Sequence, residues 1–221
     1  MRAPSTPEAE EYVGLKFVDR PGASARSPLV VLVHGRAGNR DVMWSFERTI
    51  PPGAAVVAFE AFLPDPVGGY SWWDFLAPGS KREAIASAAK RLSFALERFI
   101  DLEGLEPSQV VALGFSQGAV LLSSAVLSGD LSLAGLGLLA GLVPTPHEEP
   151  HILGSPNVFV AHGKKDDVIE VARARQGVEL LRGLGLDVTY VEDEVGHKVG
   201  IEGTRALKGW LYGVLGERVV A

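Results

Sequence analysis

Short runs of valine, leucine and alanine alternate along this chain with longer stretches in which apolar residues return every three or four positions. The runs 29–34, 55–59, 109–114, 133–139, 157–161 and 187–192 read as strands, most of them apolar enough to be covered on both faces of a sheet. The stretch 81–102 sets Ile85, Leu92, Leu96, Phe99 and Ile100 at helical spacing among charged residues, and 119–127, 169–184 and 204–215 predict further helices. Pro107 and Pro156 punctuate the starts of two strands. Strands alternating with helices predict an α/β fold, a mostly parallel central sheet with helices on both faces. Residues 12–18 are expected to add an antiparallel edge strand. No internal repeat or long linker interrupts the pattern, so residues 1–221 are expected to form a single domain.

Composition narrows the chemistry. Of 221 residues, 47% are apolar and 22% charged, enough for one large core. The 21 basic and 27 acidic residues leave a net charge of -6 without a run of either sign, which argues against nucleic acid as a partner. Cysteine is absent, so disulfides, thiolate metal sites and a cysteine nucleophile are excluded, and covalent chemistry must use oxygen or nitrogen. The start of the chain carries Pro4, Pro7 and three glutamates with no basic segment leading into an apolar one, unlike a secretory signal. The longest apolar stretch, 131–143, is broken by Ser132 and three glycines and is shorter than the roughly 20 residues that span a bilayer. A soluble, cytoplasmic protein without stable membrane insertion is expected.

One motif carries chemistry. Gly114-Phe115-Ser116-Gln117-Gly118 follows the strand-like Val110-Val111-Ala112-Leu113 and leads into the helix-like Ala119-Val120-Leu121-Leu122, so Ser116 stands where strand turns into helix. That is the setting of a nucleophile elbow in an α/β-hydrolase fold. Glycine is needed on both sides because the tight turn brings neighbouring backbone too close for a side chain. The helix beyond Ser116 aims free N–H groups at the reaction site, with the backbone N–H of Gln117 as the first oxyanion donor. A bare pattern match would also fit a serine that merely caps a helix; the flanking strand and helix favour the catalytic reading.

In this fold the acid and the histidine follow the nucleophile along the chain, which removes His34 as a base. His197, in the loop after the last predicted strand, can reach back over the sheet, and we take it as the base. His162 ends a strand beside Gly163 and is read as a partly buried histidine bonded to the turn. The acid should stand on a loop at the carboxyl end of a strand, where Asp166 and Asp167 both qualify; Asp187 and Asp193 are lesser alternatives. Val33 runs into His34-Gly35-Arg36-Ala37-Gly38, a small-residue loop whose Arg36 N–H is expected as the second oxyanion donor. Trp44, Phe62, Trp72 and Trp73, with Tyr70 and Phe75 nearby, lie after the strands on the side where ligands enter such sheets, and the first four are candidates for a substrate pocket.

These residues resemble the phospholipase/carboxylesterase family of α/β-hydrolases, which includes acyl-protein thioesterases, lysophospholipases and small carboxylesterases. The likeness rests on Val33-His34-Gly35 with Gly38, on Gly114-Phe115-Ser116-Gln117-Gly118-Ala119, on His162-Gly163-x-x-Asp166 and on Gly196-His197, and it spans most of the chain. The resemblance implies Ser116 as nucleophile, Asp166 rather than Asp167 as acid, His197 as base, and the N–H groups of Arg36 and Gln117 as the oxyanion hole. The chain departs from the family at Asp167, where a proline is common after the acid, and at Arg36, where a hydrophobic residue is common; both departures bear on substrate choice.

Two other strings are set aside. His147-Glu148-Glu149-Pro150-His151 matches a zinc-protease pattern, but the pattern needs a helix, which Pro150 opposes by about 3 kcal/mol. Gly135-Leu136-Gly137-Leu138-Leu139-Ala140 imitates a dinucleotide fingerprint within an apolar run that leads to prolines instead of a helix, and is read as packing glycine in a strand. The expected activity is a serine carboxylesterase acting on small to medium acyl esters, with lysophospholipid or acyl thioester cleavage as alternatives, and no cofactor or metal is called for. The stretch 143–155 is too short for a large helical lid. A dienelactone-type or peptidase enzyme, or a non-catalytic binding protein on the same fold, completes the alternatives, and nothing in the pattern decides between monomer and homodimer.

Overall fold

The structure, a computed structural model, describes residues 3–4, 6–24, 26–146 and 149–216. In chain order the elements are β1 (Ala3–Pro4), α1 (Pro7–Val13), β2 (Phe17–Arg20), β3 (Leu29–Val33), a 3-10 segment (Val42–Thr49), β4 (Ala55–Phe59), β5 (Leu63–Pro64), β6 (Tyr70–Ser71), α2 (Lys81–Glu103), β7 (Val110–Phe115), α3 (Gln117–Leu127), β8 (Gly135–Leu139), β9 (Asn157–Gly163), α4 (Val171–Gly183), β10 (Val188–Asp193) and α5 (Ile201–Leu215). The central sheet has eight strands in the order β1-β2-β4-β3-β7-β8-β9-β10. From β4 through β10 every pairing is parallel, while β1 and β2 join antiparallel at one side. β5 and β6 form a separate ribbon.

Side chains of each central strand leave alternately to the two faces. Leu29, Val31 and Val33 pack with α2 and α3 through Leu92, Leu96, Leu121 and Leu122. Val30 and Leu32 pack on the other face with Met43 and Trp44 and with Leu207, Leu211 and Leu215 of α5. Both faces of β3 and β7 are therefore buried, which is why these strands read as unbroken apolar runs. The glycines of β8 serve close packing, as expected: a methyl group on Gly137 would lie 2.3 Å from Leu113 Cδ2.

The expected edge strand over 12–18 is corrected. Tyr12 and Val13 end α1, and the strand begins only at Phe17. Helix wins there because the Thr6 hydroxyl accepts from Ala9 N–H, Pro7 opens the first turn with Glu8 beside it, and Gly14 closes the helix at φ 80°, a full set of caps. β2 is antiparallel, as expected, but β1 lies outside it.

Between β8 and β9 no helix occurs among the described residues. His147 and Glu148 of the zinc-like string lie outside them. Among the described residues no helix is long and apolar enough to cross a membrane.

Candidate active site

β7 gives way to α3 at Ser116, whose φ of 51° and ψ of -112° are a conformation that costs a side-chain-bearing residue about 1–3 kcal/mol. The turn is held from several sides. Ser116 N–H donates to Leu139 O at 2.9 Å, and its own carbonyl accepts from Ala119 and Val120 N–H at 3.1 and 3.2 Å. A methyl group on Gly114 would lie 2.4 Å from the carbonyl carbon of Gly118, and one on Gly118 would lie 2.1 Å from Val33 O. The two glycines let β7, β3 and α3 close on one another, and the serine is left at the carboxyl edge of the sheet.

The loop 194–200 carries His197 back over this edge. Its Nε2 lies 3.0 Å from Ser116 Oγ and its Nδ1 lies 2.8 Å from Asp166 Oδ2. The Phe115 ring packs against the imidazole with centroids 5.2 Å apart. Lys165 N–H donates to Val195 O at 2.9 Å, which ties the histidine loop to the turn that bears Asp166. At the far end Asp193 accepts from Glu202 and Gly203 N–H at 3.1 and 2.9 Å, capping α5. Asp193 is thus occupied as a cap, and Asp167 is exposed; only Asp166 meets the histidine.

Asp166 has four donors. Oδ1 accepts from Val168 and Ile169 N–H, each at 2.9 Å, and Oδ2 receives His197. The fourth is His162, whose Nε2 lies 2.8 Å from Ile169 O and 3.2 Å from Asp166 Oδ2. Both neighbours are acceptors, so Nε2 carries the hydrogen, while buried Nδ1 has no partner among the described residues. Burial opposes the carboxylate charge, but the Ile169 N–H, the His197 ring and the Val168 N–H outweigh it and hold Asp166 below the ordinary carboxylate range. His162 is therefore the turn-bonded histidine expected, with a contact to the acid that the sequence did not disclose.

His34, expected to play no part as base, is a buried tie. Its Nδ1 lies 2.7 Å from Gly35 O, and Nε2 accepts from Ala61 N–H at 3.0 Å. Burial pushes its pKa down to about 4 against the raising effect of the Gly35 bond, so the ring is neutral through the ordinary pH range. It steadies the loop in which a methyl group on Gly35 would sit 3.1 Å from Ser116 Cβ. The backbone N–H groups of Arg36 and Gln117 donate to no acceptor among the described residues. Gln117 opens α3, where no carbonyl one turn back exists to receive its N–H.

The Gln117 side chain performs a task that sequence reasoning missed. Its Oε1 accepts from Trp72 N–H at 3.0 Å, and its Nε2 donates to Trp73 O at 3.4 Å. The loop after β3 is tied in the same direction. Arg36 Nε donates to Asp65 Oδ2 at 3.0 Å, Ser71 Oγ donates to the same oxygen at 2.7 Å, and Ala37 N–H donates to Ser71 Oγ at 3.2 Å. The Arg36 and Ser71 bonds, with Val67 N–H, draw the Asp65 pKa down to about 2. Asp65 followed by Gly68-Gly69 was the available signal, an aspartate able to bond its own turn.

A cavity of about 870 Å³ opens from Ser116 and Gln117 along α2 and α3, with Ile85, Val120, Leu127 and Leu142 among its walls. Of the four aromatic candidates, Trp73 lines it, together with Phe75. Trp44, Trp72 and Phe62 do not. Trp44 is buried under the sheet face that α5 covers, and Trp72 is drawn inward because its indole N–H donates to His34 O at 2.7 Å. Phe62 packs edge-on to Trp72 and is covered by the Arg91 guanidinium, 3.9 Å from its centroid.

Residues 17–214 match the phospholipase/carboxylesterase family. Acyl-protein thioesterase 1 of Debaryomyces hansenii is 27% identical over 130 residues, covering 53% of this chain and 56% of that protein. A protein of Oryza sativa subsp. japonica named as a probable inactive carboxylesterase is 26% identical over 171 residues, covering 72% of this chain and 66% of its own. The chain thus spans between half and two thirds of these relatives. The crystal structure of the Bacillus cereus carboxylesterase superposes with a TM-score of 0.85 at 22% identity over 94% of this chain and 98% of that one, a likeness of fold. With a mostly parallel sheet, a serine elbow and a family match over most of its length, this chain belongs to the phospholipase/carboxylesterase family of α/β-hydrolases.

Proposed function

We propose that this protein is a serine carboxylesterase in which Ser116 is the nucleophile, His197 the general base and Asp166 the acid. The observation that carries the reading is the unbroken line from Asp166 Oδ2 through both ring nitrogens of His197 to Ser116 Oγ, with steps of 2.8 and 3.0 Å. Ser116 Oγ attacks the ester carbonyl carbon while its proton passes to His197 Nε2. The charge that develops on the carbonyl oxygen is met by the N–H groups of Arg36 and Gln117. As the carbon–oxygen bond to the alcohol breaks, His197 returns the proton to the leaving oxygen. Water, deprotonated by the same imidazole, then cleaves the acyl-enzyme and releases the acid. Asp166 keeps its negative charge throughout and stabilises the imidazolium. Chains of small to medium length suit a cavity of about 870 Å³ whose walls include Val120, Leu127 and Leu142.

A relative named as a probable inactive carboxylesterase raises the opposite reading, a fold kept for binding. The hydrogen-bonded line and the open donors beside Ser116 favour catalysis. A fluorophosphonate probe should label the wild type at Ser116, and labelling should vanish in Ser116→Ala and fall steeply in His197→Ala. Hydrolysis across p-nitrophenyl esters from acetate to decanoate should show the chain-length preference. An unlabelled Ser116, or labelling indifferent to His197→Ala, would overturn the assignment.

A further inference from the structure

The cavity that holds Ser116 is more basic than the chain that builds it. The whole chain carries a net charge of -6. The cavity, by contrast, is lined by Arg36, Lys81, Arg82, Lys90 and Arg173 against Asp130 and Glu149. Lys81, Arg82, Lys90 and Arg173 form no ion pair among the described residues. Three of these cations, Lys81, Arg82 and Lys90, belong to α2, which also gives Ile85 and Ala86 to the cavity lining.

Two of the charges converge. The Arg36 guanidinium lies 5.5 Å from the centroid of the Phe75 ring, and Lys81 Nζ lies 4.2 Å from it. The two are therefore no farther apart than about 10 Å, one screening length at moderate salt. Asp65 engages Arg36 through Nε alone, which leaves the other guanidinium N–H groups without a carboxylate, and Lys81 has none. Arg36 lines the same cavity as Ser116 and Gln117. A cation there, a second cation on the same ring, and an apolar wall running on from them suit a ligand with a negative group joined to an apolar chain.

We infer that the substrate is an amphiphilic ester bearing a negative group, seated between Arg36 and Lys81 against Phe75 while the apolar part lies along Ile85, Val120 and Leu142. This rests on the reading of Ser116 as an esterase nucleophile and specifies what that serine attacks. A uniformly acidic protein would repel such a substrate, so any preference for it must come from the cavity.

Two matched pairs of esters separate the sources of the charge. p-Nitrophenyl hemiglutarate and its methyl ester differ by a carboxylate on the acyl side; 4-butyryloxybenzoate and its methyl ester differ by one on the alcohol side. In at least one pair, kcat/KM for the charged member should exceed that of its neutral partner about fivefold at low salt and approach it at about 0.5 M NaCl, where screening is nearly complete over these distances. Lys81→Glu should remove most of that preference. The substitution is compatible with folding because it places an acid in the first turn of α2. Lys208→Glu, on the helix that covers the opposite sheet face, should leave the preference as it is. Hydrolysis of the neutral members with no preference for a charged one, or a preference indifferent to Lys81→Glu, would overturn the inference while leaving the esterase reading intact. Failure to hydrolyse any of the four would overturn both.

Discussion

Replacing Asp193 by alanine tests how the His197 loop is anchored. The carboxylate accepts from Glu202 and Gly203 N–H at 3.1 and 2.9 Å, two of the donors that open α5 and that no carbonyl of the helix can reach. Caps of this kind contribute about 1–2 kcal/mol. The Glu202 bond is exposed and the Gly203 bond partly buried, so water replaces the first readily and the second poorly. A net loss of about 1.5 kcal/mol follows from that split. For a chain of this size each kcal/mol lowers the melting temperature by about 2–4 °C, giving an expected fall of about 3–6 °C by circular dichroism. The same substitution releases one end of loop 194–200, and misplacement of an imidazole by about 1 Å is worth up to about a hundredfold in rate; kcat on an activated ester should fall at least about fivefold. Asp193→Asn keeps one acceptor oxygen and should fall between wild type and alanine in both measurements. A melting temperature within about 1 °C of wild type would refute the cap, and a lowered melting temperature with unchanged kcat would refute the anchoring role.

Gly118→Ala should cost about 3 kcal/mol or more in urea unfolding, because its methyl group would meet Val33 O at 2.1 Å and only the backbones of β3 and α3 can yield; an unchanged urea midpoint would contradict the close approach. Gln117→Leu leaves the buried Trp72 N–H without its 3.0 Å acceptor, a loss of about 1–3 kcal/mol, and should shift the tryptophan emission and raise KM; an unaltered spectrum would count against the tie. Asp166 lies below its ordinary value of 3.8, so the stability it adds is whole above the unfolded-state value and is lost as pH falls through the folded-state one. The stability difference between wild type and Asp166→Asn should therefore shrink below about pH 4, and a difference that widened there would contradict the depressed pKa.

The central strands were legible because a parallel sheet covered on both faces leaves little room for polar residues, as at Leu29–Val33 and Val110–Phe115, where every residue but Phe115 is buried. The grouping of Ser116, Asp166 and His197 was legible for a different reason: the fold that the elbow motif implies fixes the order of serine, acid and histidine along the chain, and few histidines remained. Residues 12–18 were misread as one strand although the caps at Thr6 and Gly14, which end a helix at Val13, are present in the sequence. The aromatic residues failed on another ground. Whether a loop tryptophan faces a cavity depends on where its indole N–H finds an acceptor, and for Trp72 that acceptor is His34 O, 38 residues away. The Asp65 and Gln117 ties are likewise contacts between distant loops, invisible to periodicity.

The amide of Gln117 couples two properties that are commonly treated as separable. Its backbone N–H is the oxyanion donor proposed next to Ser116, while its side chain grips the strand of chain from which Trp73 enters the cavity wall. A variant selected for a wider or narrower substrate by remodelling residues 72–75 pulls on the residue that begins α3. On the proposed mechanism, changes in acyl preference carry changes in turnover with them, and a designer who wishes to alter one alone must work from the α2 wall, at Ile85 or Ala86.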